Sequence, residues 1–318
     1  MAQLIPPIPK ELLTPESYIW RDWFNNLRNI LVGAVEGTVA WASLNFTGSN
    51  ITDLVSRRHA DLQSLQGGTA GQYYHLTAAQ YTVVVSKPYG SFADTTSQTI
   101  PVNAAQVMRL DTTELSSGIT LGSQTAVVTA SRTLTTLTVA SVTSGALYLG
   151  MTISGTGISA GTLIVSQTSG TPGGVGVYET STSGTVSLGT TVSGTIQSKV
   201  MVSTAGVYNL QWSAEFQSTA TAINDINIWL RTGTTGAAVD VTRSNSFIAV
   251  PARKSAAPGD EGHTIVALNY FINFAANGYA ELWWSSASTA VTLQAYAAGT
   301  SPTKPSTPSL ILTMALVS

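Results

Sequence analysis

The chain has 318 residues, of which only 9% are charged; its formal net charge is −2 and it contains no cysteine. This length is enough for roughly two or three domains, and the lack of cysteine excludes disulfides, thiol nucleophiles and cysteine-ligated metal. The small net charge gives no electrostatic basis for binding nucleic acid or an anionic membrane, and no apolar run approaches the ~18 residues of a membrane span.

The N-terminal segment, residues 1–35, predicts an extended strap followed by a helix. It lacks the basic and then apolar pattern of a signal peptide, so we expect the protein to be made and kept in a cytosol, or to be released by lysis. Thr14, Pro15 and Glu16 have the order of a helix start. Apolar residues then recur at three- and four-residue steps, which is typical of an amphipathic helix: Ile19, Trp20, Trp23, Phe24, Leu27, Ile30 and Leu31.

The apolar stripe of this helix needs a partner. Residues 36–50 are rich in Gly, Thr, Ser and Asn and supply no complementary core. We therefore expect the helix to dock against another protein chain, as amphipathic helices do in apolar grooves. Packing on a core within its own domain is the alternative.

Residues 36–85 are predicted to form a neck with a second short helix near 50–65. One seam of this helix is apolar and has heptad spacing: Ile51, Val55, Leu62 and Leu65. The seam is too short for a stable coiled coil by itself. It predicts either an oligomer axis or a helix on a small core, and the spacing does not separate the two.

A glycine-rich reversal follows, with Gly67, Gly68 and Gly71 between His59 and His75. A metal site would need more ligands at a recognised spacing, so none is predicted. The run from His59 to Tyr81 (HADLQSLQGGTAGQYYHLTAAQY) resembles a segment of tailed-bacteriophage fibre and tail proteins. In those proteins it links a virion-proximal part to a distal domain.

The C-terminal half is predicted to be a β-sandwich. Residues 206–218 alternate apolar and polar side chains, as a strand with one buried face does. Short strands separated by turn signals indicate a sandwich or jelly roll. The predicted strands lie within 88–99, 105–113, 225–231, 264–274, 279–285, 291–296 and 309–317.

The order and content of these strands resemble the C-terminal jelly-roll domain of phage fibre proteins, which is similar to the trimeric fold of tumour necrosis factor. The resemblance covers residues 86–122 and 195–318 and implies a homotrimer. Large aromatic residues exceed what one small core needs, so some are expected at the subunit interface; a single well-filled core is the alternative. The interface candidates are Trp229, Tyr270, Phe271, Trp283 and Trp284.

Residues 123–194 differ from their surroundings and are predicted to form a small β-domain inserted into a loop of the jelly roll. Between Leu115 and Ser198 the charged residues are Arg132 and Glu179, and 14 of the 28 glycines lie between Gly118 and Gly194. Insertions succeed at exposed loops whose ends are close together. The content resembles Gly/Thr-rich modules of other phage structural proteins.

No catalytic or cofactor motif is found. The glycine-rich run 170–177 lacks the Gly-Lys-Ser/Thr of a phosphate loop. A polysaccharide depolymerase would need two carboxylates facing one sugar bond, and spacing does not pair the acids of the distal half. Asp260 and Glu261 are predicted in an exposed turn. We expect no enzymatic activity, no cofactor and no bound metal.

The strand pattern predicts a mainly β protein, and the resemblance implies a trimeric virion protein of a tailed phage, assembled in the host cytoplasm. The resemblance implies a tail fibre anchored by residues 1–35 to a portal, adaptor, tail or capsid protein. Its distal domain would attach the particle to a glycan or protein of the bacterial surface. A capsid decoration protein or head fibre is the first alternative, and a depolymerase is the second.

Overall fold

The computed structural model describes residues 22–29, 81, 84, 86–101, 104–234 and 238–317. The chain divides into two compact units, Met1–Thr77 and Ala78–Ser318. The described part of the first unit is a helix, α1, over residues 22–29, inside the amphipathic helix that the sequence predicts. The described part of the second unit is built from antiparallel β-sheets, so the prediction of a mainly β protein is confirmed.

The strands of the second unit range from two residues to a pair of very long ones. In chain order they are β1 (Tyr89–Asp94), β2 (Gln106–Val107), β3 (Thr112–Ser117), β4 (Ile119–Ser144), β5 (Thr152–Ser154), β6 (Ile164–Gly170), β7 (Gly176–Val202), β8 (Gly206–Ser218), β9 (Asn224–Gly233), β10 (Val239–Asp240), β11 (Ser246–Val250), β12 (Gly262–Phe274), β13 (Tyr279–Ser286), β14 (Val291–Leu293), β15 (Gly299–Thr300), β16 (Thr303–Lys304) and β17 (Leu310–Leu316).

Sheet A is organised around β8, the strand with the clearest alternation in the sequence. Its strand order is β12–β8–β17–β1–β3, and β14 pairs with β8 beyond the end of β17. β8 pairs with β12 along its whole length. The apolar side chains of β8 are buried and the alternate ones are at least partly exposed, as a pleated strand over a core requires.

Sheet B has the strand order β10–β9–β13–β7–β4. β11 also pairs with β9, and β2 also pairs with β13. The sheet therefore combines strands of the C-terminal half with one end of each long strand, namely the beginning of β4 and the end of β7. The pairs Trp229↔Trp283 and Arg231↔Glu281 lie opposite each other on β9 and β13.

The inner faces of the two sheets share one core. Tyr208, Trp212 and Phe216 of β8 pack in the same buried cluster as Leu282 and Trp284 of β13. The rings of Phe216 and Trp284 have centroids 5.6 Å apart. Burying aromatic side chains of this size contributes roughly 2–3 kcal/mol each relative to exposure, so this contact is a main source of sandwich stability.

The segment between the sandwich halves is carried on a long two-stranded ribbon. β4 and β7 pair from Ile119↔Val202 to Val139↔Gly176. The predicted domain boundaries, after residues 122 and 194, therefore fall inside continuous strands. The register shifts between Gly122 and Ser123, and a β-bulge at such a point bends and twists the ribbon.

The ribbon folds back so that its loops cover part of sheet B. β5 and β6 pair with β7, and a second buried cluster joins residues of the ribbon with Val107 and Trp283 of the sandwich. Gly194 allows this close approach, because a Cβ there would lie 3.1 Å from side-chain atoms of Leu147 and Met151. Residues 123–194 thus form a third layer that shares its core with the outer face of sheet B.

One strand prediction is wrong. The run 105–113 is not one strand, because β2 ends at Val107 and β3 begins at Thr112. Between them Met108 and Leu110 are buried in the sandwich core. Arg109 lies between these two anchors and its side chain reaches Asp94 of β1, so a tertiary contact replaces local strand pairing here.

Candidate functional site

The outer face of sheet A is open and carries exposed apolar side chains among polar ones. Phe271 and Ile265 project from β12 with 65% and 69% of their surface exposed. The pairing register places Ile311 of β17 on the same face, opposite Ser213 of β8, and Leu115 of β3 opposite Ser91 of β1. Ile311 and Leu115 are also exposed. A monomer gains no burial energy from side chains placed in this way, so the face is a candidate interaction surface.

Two shallow hollows run along this face. One, of about 500 Å³, lies between β12 and β17 and is lined in part by Gln211, Ala267 and Ile311. The other, of about 300 Å³, is lined in part by Tyr89 and Leu115. All the lining residues of both hollows are uncharged. A partner surface can therefore cover them without burying an unpaired charge, which would be costly.

Asn209 carries an unsatisfied polar atom on the same face. Its side-chain oxygen is buried, yet it has no hydrogen-bond partner among the described residues. The residue lines the smaller hollow. A buried amide oxygen without a partner costs about 1–3 kcal/mol, so this position destabilises the single chain.

The outer face of sheet B is partly covered by the ribbon layer. The ring of Tyr148 meets Trp283 edge to face, with centroids 5.3 Å apart. The guanidinium of Arg231 lies 4.0 Å from the centroid of the same indole. Trp283 is therefore enclosed within its own chain, between the ribbon layer and β9.

Glu281 is a buried carboxylate beneath the same layer. It accepts hydrogen bonds from Gln124 Nε2 at 2.7 Å, from Ser198 Oγ at 3.2 Å and from Trp283 Nε1 at 3.2 Å. Two of these donors come from the long strands β4 and β7. The carboxylate thus links the ribbon layer to sheet B. A lone acid in a strand is ordinarily solvated, but here the ribbon layer buries Glu281.

The five interface candidates separate into three groups. Trp284 and Trp283 are 0% and 3% exposed, so neither has surface available for another subunit. Tyr270 faces the sandwich core and donates a hydrogen bond from its hydroxyl to the Ser244 carbonyl at 3.1 Å. Trp229 is half-buried at the edge of the ribbon layer, and Phe271 is exposed on the outer face of sheet A.

The N-terminal predictions are covered only in part. Trp23, Phe24 and Leu27 lie on α1, where Phe24 is 56% exposed and Trp23 and Leu27 are half-buried. The other docking candidates lie outside the described residues: Ile19, Trp20, Ile30 and Leu31. Residues 36–80 of the neck also lie outside them, including Ile51, Val55, Leu62 and Leu65.

The carboxylates of the sandwich are dispersed. Glu215 lies on the outer face of sheet A and Glu281 on the outer face of sheet B, so the sandwich core separates them. Asp260 and Glu261 bind their own turn, through Ser255 Oγ at 2.5 Å and the Gly259 amide at 2.9 Å. Glu215 and Glu281 therefore do not face one sugar bond as glycoside hydrolysis requires. That the protein is not an enzyme stays a prediction.

Neither a metal-binding cluster nor a membrane-spanning helix is present in the part of the chain that the structure describes. It contains no group of three or more His, Asp or Glu side chains that could hold a metal ion. No helix there is long and apolar enough to cross a bilayer.

A buried ion pair joins β1, the first strand of the sandwich, to the segment between β2 and β3. Asp94 has no exposed side-chain surface, and Arg109 Nη2 lies 3.1 Å from its Oδ2. Gln98 Nε2 donates to the same oxygen at 2.6 Å, and the Thr96 amide donates to Oδ1 at 3.0 Å. Burial raises the pKa of Asp94 to about 6, although Arg109 and the Thr96 amide act to lower it.

Comparisons with known proteins do not assign the chain to a group. No protein-family model matches it, and no curated protein matches it significantly. The proposed function therefore rests on the geometry of the outer faces of sheets A and B.

Proposed function

We propose that the protein is a trimeric fibre of a tailed-phage virion, anchored by its N-terminal helix and presenting the β-sandwich for attachment to the host surface. The observation that carries this proposal is the open outer face of sheet A with its exposed apolar side chains. This face supports a homotrimer in which the subunits contact one another through sheet A. Each subunit would be a jelly roll formed by sheets A and B. Cyclic symmetry requires each subunit to offer a surface that others can cover.

The chemistry of this face suits contact between identical copies. Like charges that meet around a symmetry axis repel, and the lining of the two hollows carries no charge. Ile265, Phe271 and Ile311 supply apolar area that another subunit can cover. Multiple copies of a weak receptor-binding surface then raise the avidity of the whole particle.

Phe271→Asp is expected to convert the trimer to a monomer at micromolar concentration. Burial of a phenylalanine contributes roughly 2–3 kcal/mol per subunit, and the three subunits lose this contribution together. A buried carboxylate adds a further cost. Light scattering after size-exclusion chromatography measures the mass. The matched control is Phe247→Asp, because Phe247 is 69% exposed on β11 of sheet B, and this variant should remain trimeric. A wild-type monomer would contradict the proposal.

The position of the protein on the particle distinguishes the tail fibre from its first alternative. A gold-labelled tag after Ser318 is expected around the tail in micrographs of intact virions. Label spread over the head would instead indicate a head fibre or capsid decoration protein. In that case Trp23 and Phe24 would contact the capsid. Label absent from virions would overturn both assignments.

A further inference from the structure

A cavity lies beside the ribbon layer on the outer face of sheet B. Its volume is about 360 Å³, within the usual range for small-ligand sites, and its lining includes Asn227, Trp229, Asp240, Arg243 and Asn245. One wall is the segment that connects β10 to β11. The floor is the part of β9 that the ribbon layer leaves uncovered.

The indole of Trp229 is held in a fixed orientation in this cavity. Its Nε1 donates a hydrogen bond to Asp240 Oδ1 at 2.9 Å. Its ring lies near Trp283, with centroids 6.4 Å apart and planes 30° apart. An aromatic ring that is already ordered loses little side-chain entropy on binding, and its electron-rich face suits the C–H face of a sugar ring.

Polar groups surround the indole and are positioned by one another. Asp240 accepts from Arg231 Nε at 2.6 Å, and this hydrogen bond holds the pKa of Asp240 below its usual range. Asn245 Nδ2 donates to Asn227 Oδ1 at 3.1 Å. The two amide donors of Asn227 and the amide oxygen of Asn245 can bind ligand hydroxyls.

The charge of the site selects among sugars. Arg231 and Asp240 neutralise each other in an ion pair. Arg243 has a left-handed φ of 66° and is exposed, and its side chain makes no hydrogen bond or ion pair with the described residues. The cavity therefore carries one uncompensated positive charge, which favours an anionic ligand.

We propose that this cavity binds a pyranose that bears a carboxylate, such as a hexuronic acid within an acidic polysaccharide. The sugar ring lies on Trp229, the two asparagines bind its hydroxyls, and Arg243 binds the carboxylate in a bidentate pair. This inference rests on the proposed attachment function, because it names the class of surface ligand that the fibre would recognise.

Calorimetric titration of the full-length protein tests the site. The probes are tetrasaccharides of galacturonic, glucuronic and mannuronic acid, each compared with its neutral hexose counterpart. At least one acidic probe is expected to bind at least tenfold more tightly than its counterpart, and the difference should shrink as salt rises. Arg243→Gln should abolish this preference. Trp229→Phe should weaken binding of acidic and neutral probes alike.

Two controls make the result specific to the cavity. Lys254→Gln removes an exposed cation beyond the other end of β11 and should leave every affinity unchanged. Arg243 makes no hydrogen bond or ion pair with the described residues, so Arg243→Gln should not affect folding, which the trimer mass checks. The proposal is overturned if no acidic probe binds better than its neutral counterpart, or if Arg243→Gln leaves the preference intact.

The same variants separate this inference from the proposed function. If purified Arg243→Gln protein adsorbs to host cells as well as the wild type does, the cavity is not the attachment site, and the fibre assignment stands. If the gold label is absent from virions while acidic sugars still bind through Arg243, the fibre assignment falls and the sugar site stands.

Discussion

Arg109→Met is expected to lower the free energy of unfolding by about 3–5 kcal/mol at pH 7.5, the usual cost of removing one partner of a buried ion pair. Asp94 would keep its hydrogen bonds from Gln98 and the Thr96 amide but lose its buried cation. Urea unfolding followed by tryptophan fluorescence measures the change. A variant as stable as the wild type would show that Arg109 does not stabilise the Asp94 carboxylate.

The pH dependence of this variant follows from the raised pKa of Asp94. In the wild type this pKa is about 6 in the folded state, against 3.8 for an ordinary aspartate. The folded state therefore binds this proton more tightly, so the contribution of Asp94 to stability is greatest below pH 4 and falls as the pH rises toward about 6. Arg109 lowers the pKa, so in its absence the folded pKa rises further. The deficit of Arg109→Met should shrink at pH 4.5, because protonated Asp94 needs no cation.

The double variant Asp94→Asn/Arg109→Met is the control for this prediction. It leaves no buried charge, and residues in direct contact usually show non-additive effects. We expect it to be more stable than Arg109→Met at pH 7.5 and to lose the extra pH dependence. A double variant that is less stable by the sum of the two single changes would contradict the proposed charge pairing.

Trp283→Ala is expected to cost about 3–5 kcal/mol, the range for truncating a buried aromatic residue. The side chain contacts Tyr148, Arg231 and Glu281. Its loss would open a cavity between the ribbon layer and sheet B, so residues 123–194 should also become more sensitive to protease. Urea unfolding and limited proteolysis measure the two effects.

Phe247→Ala is the matched control, because Phe247 is an exposed aromatic residue of sheet B. Exposed substitutions of this kind usually change stability by no more than about 0.5 kcal/mol. If Trp283→Ala lowers stability but leaves the proteolysis of residues 123–194 unchanged, the ribbon layer folds independently of the sandwich. That result would support the inserted domain that the sequence predicts.

The regular strands were predictable because their patterns are local. β8 and β9 alternate apolar and polar residues, and turn residues bound them, so their positions follow from the period of a pleated strand. The helical segment at α1 followed from spacing in the same way. Trimer formation, the docking partner of the helix and the neck remain predictions.

The ribbon was harder to predict because its sequence is uniform. Thr, Ser and Gly fill both the paired and the turning parts of β4 and β7. The composition therefore changes near residue 123, but the hydrogen bonding between the two strands continues past that residue. Burial in a low-complexity strand depends on which surface lies opposite, and that surface is distant in the chain.

The sequence by itself determined the class of fold, the main strands and the lack of a recognisable cofactor motif, because strand periodicity and motif spacing are properties of neighbouring residues. Only the tertiary structure decided the roles of the tryptophans and of Arg109. Trp229, Trp283 and Trp284 look equivalent in the sequence, yet one lines a cavity, one lies beneath the ribbon layer and one fills the core. Side chains on successive pleats face opposite surfaces, and what covers each surface comes from elsewhere in the chain.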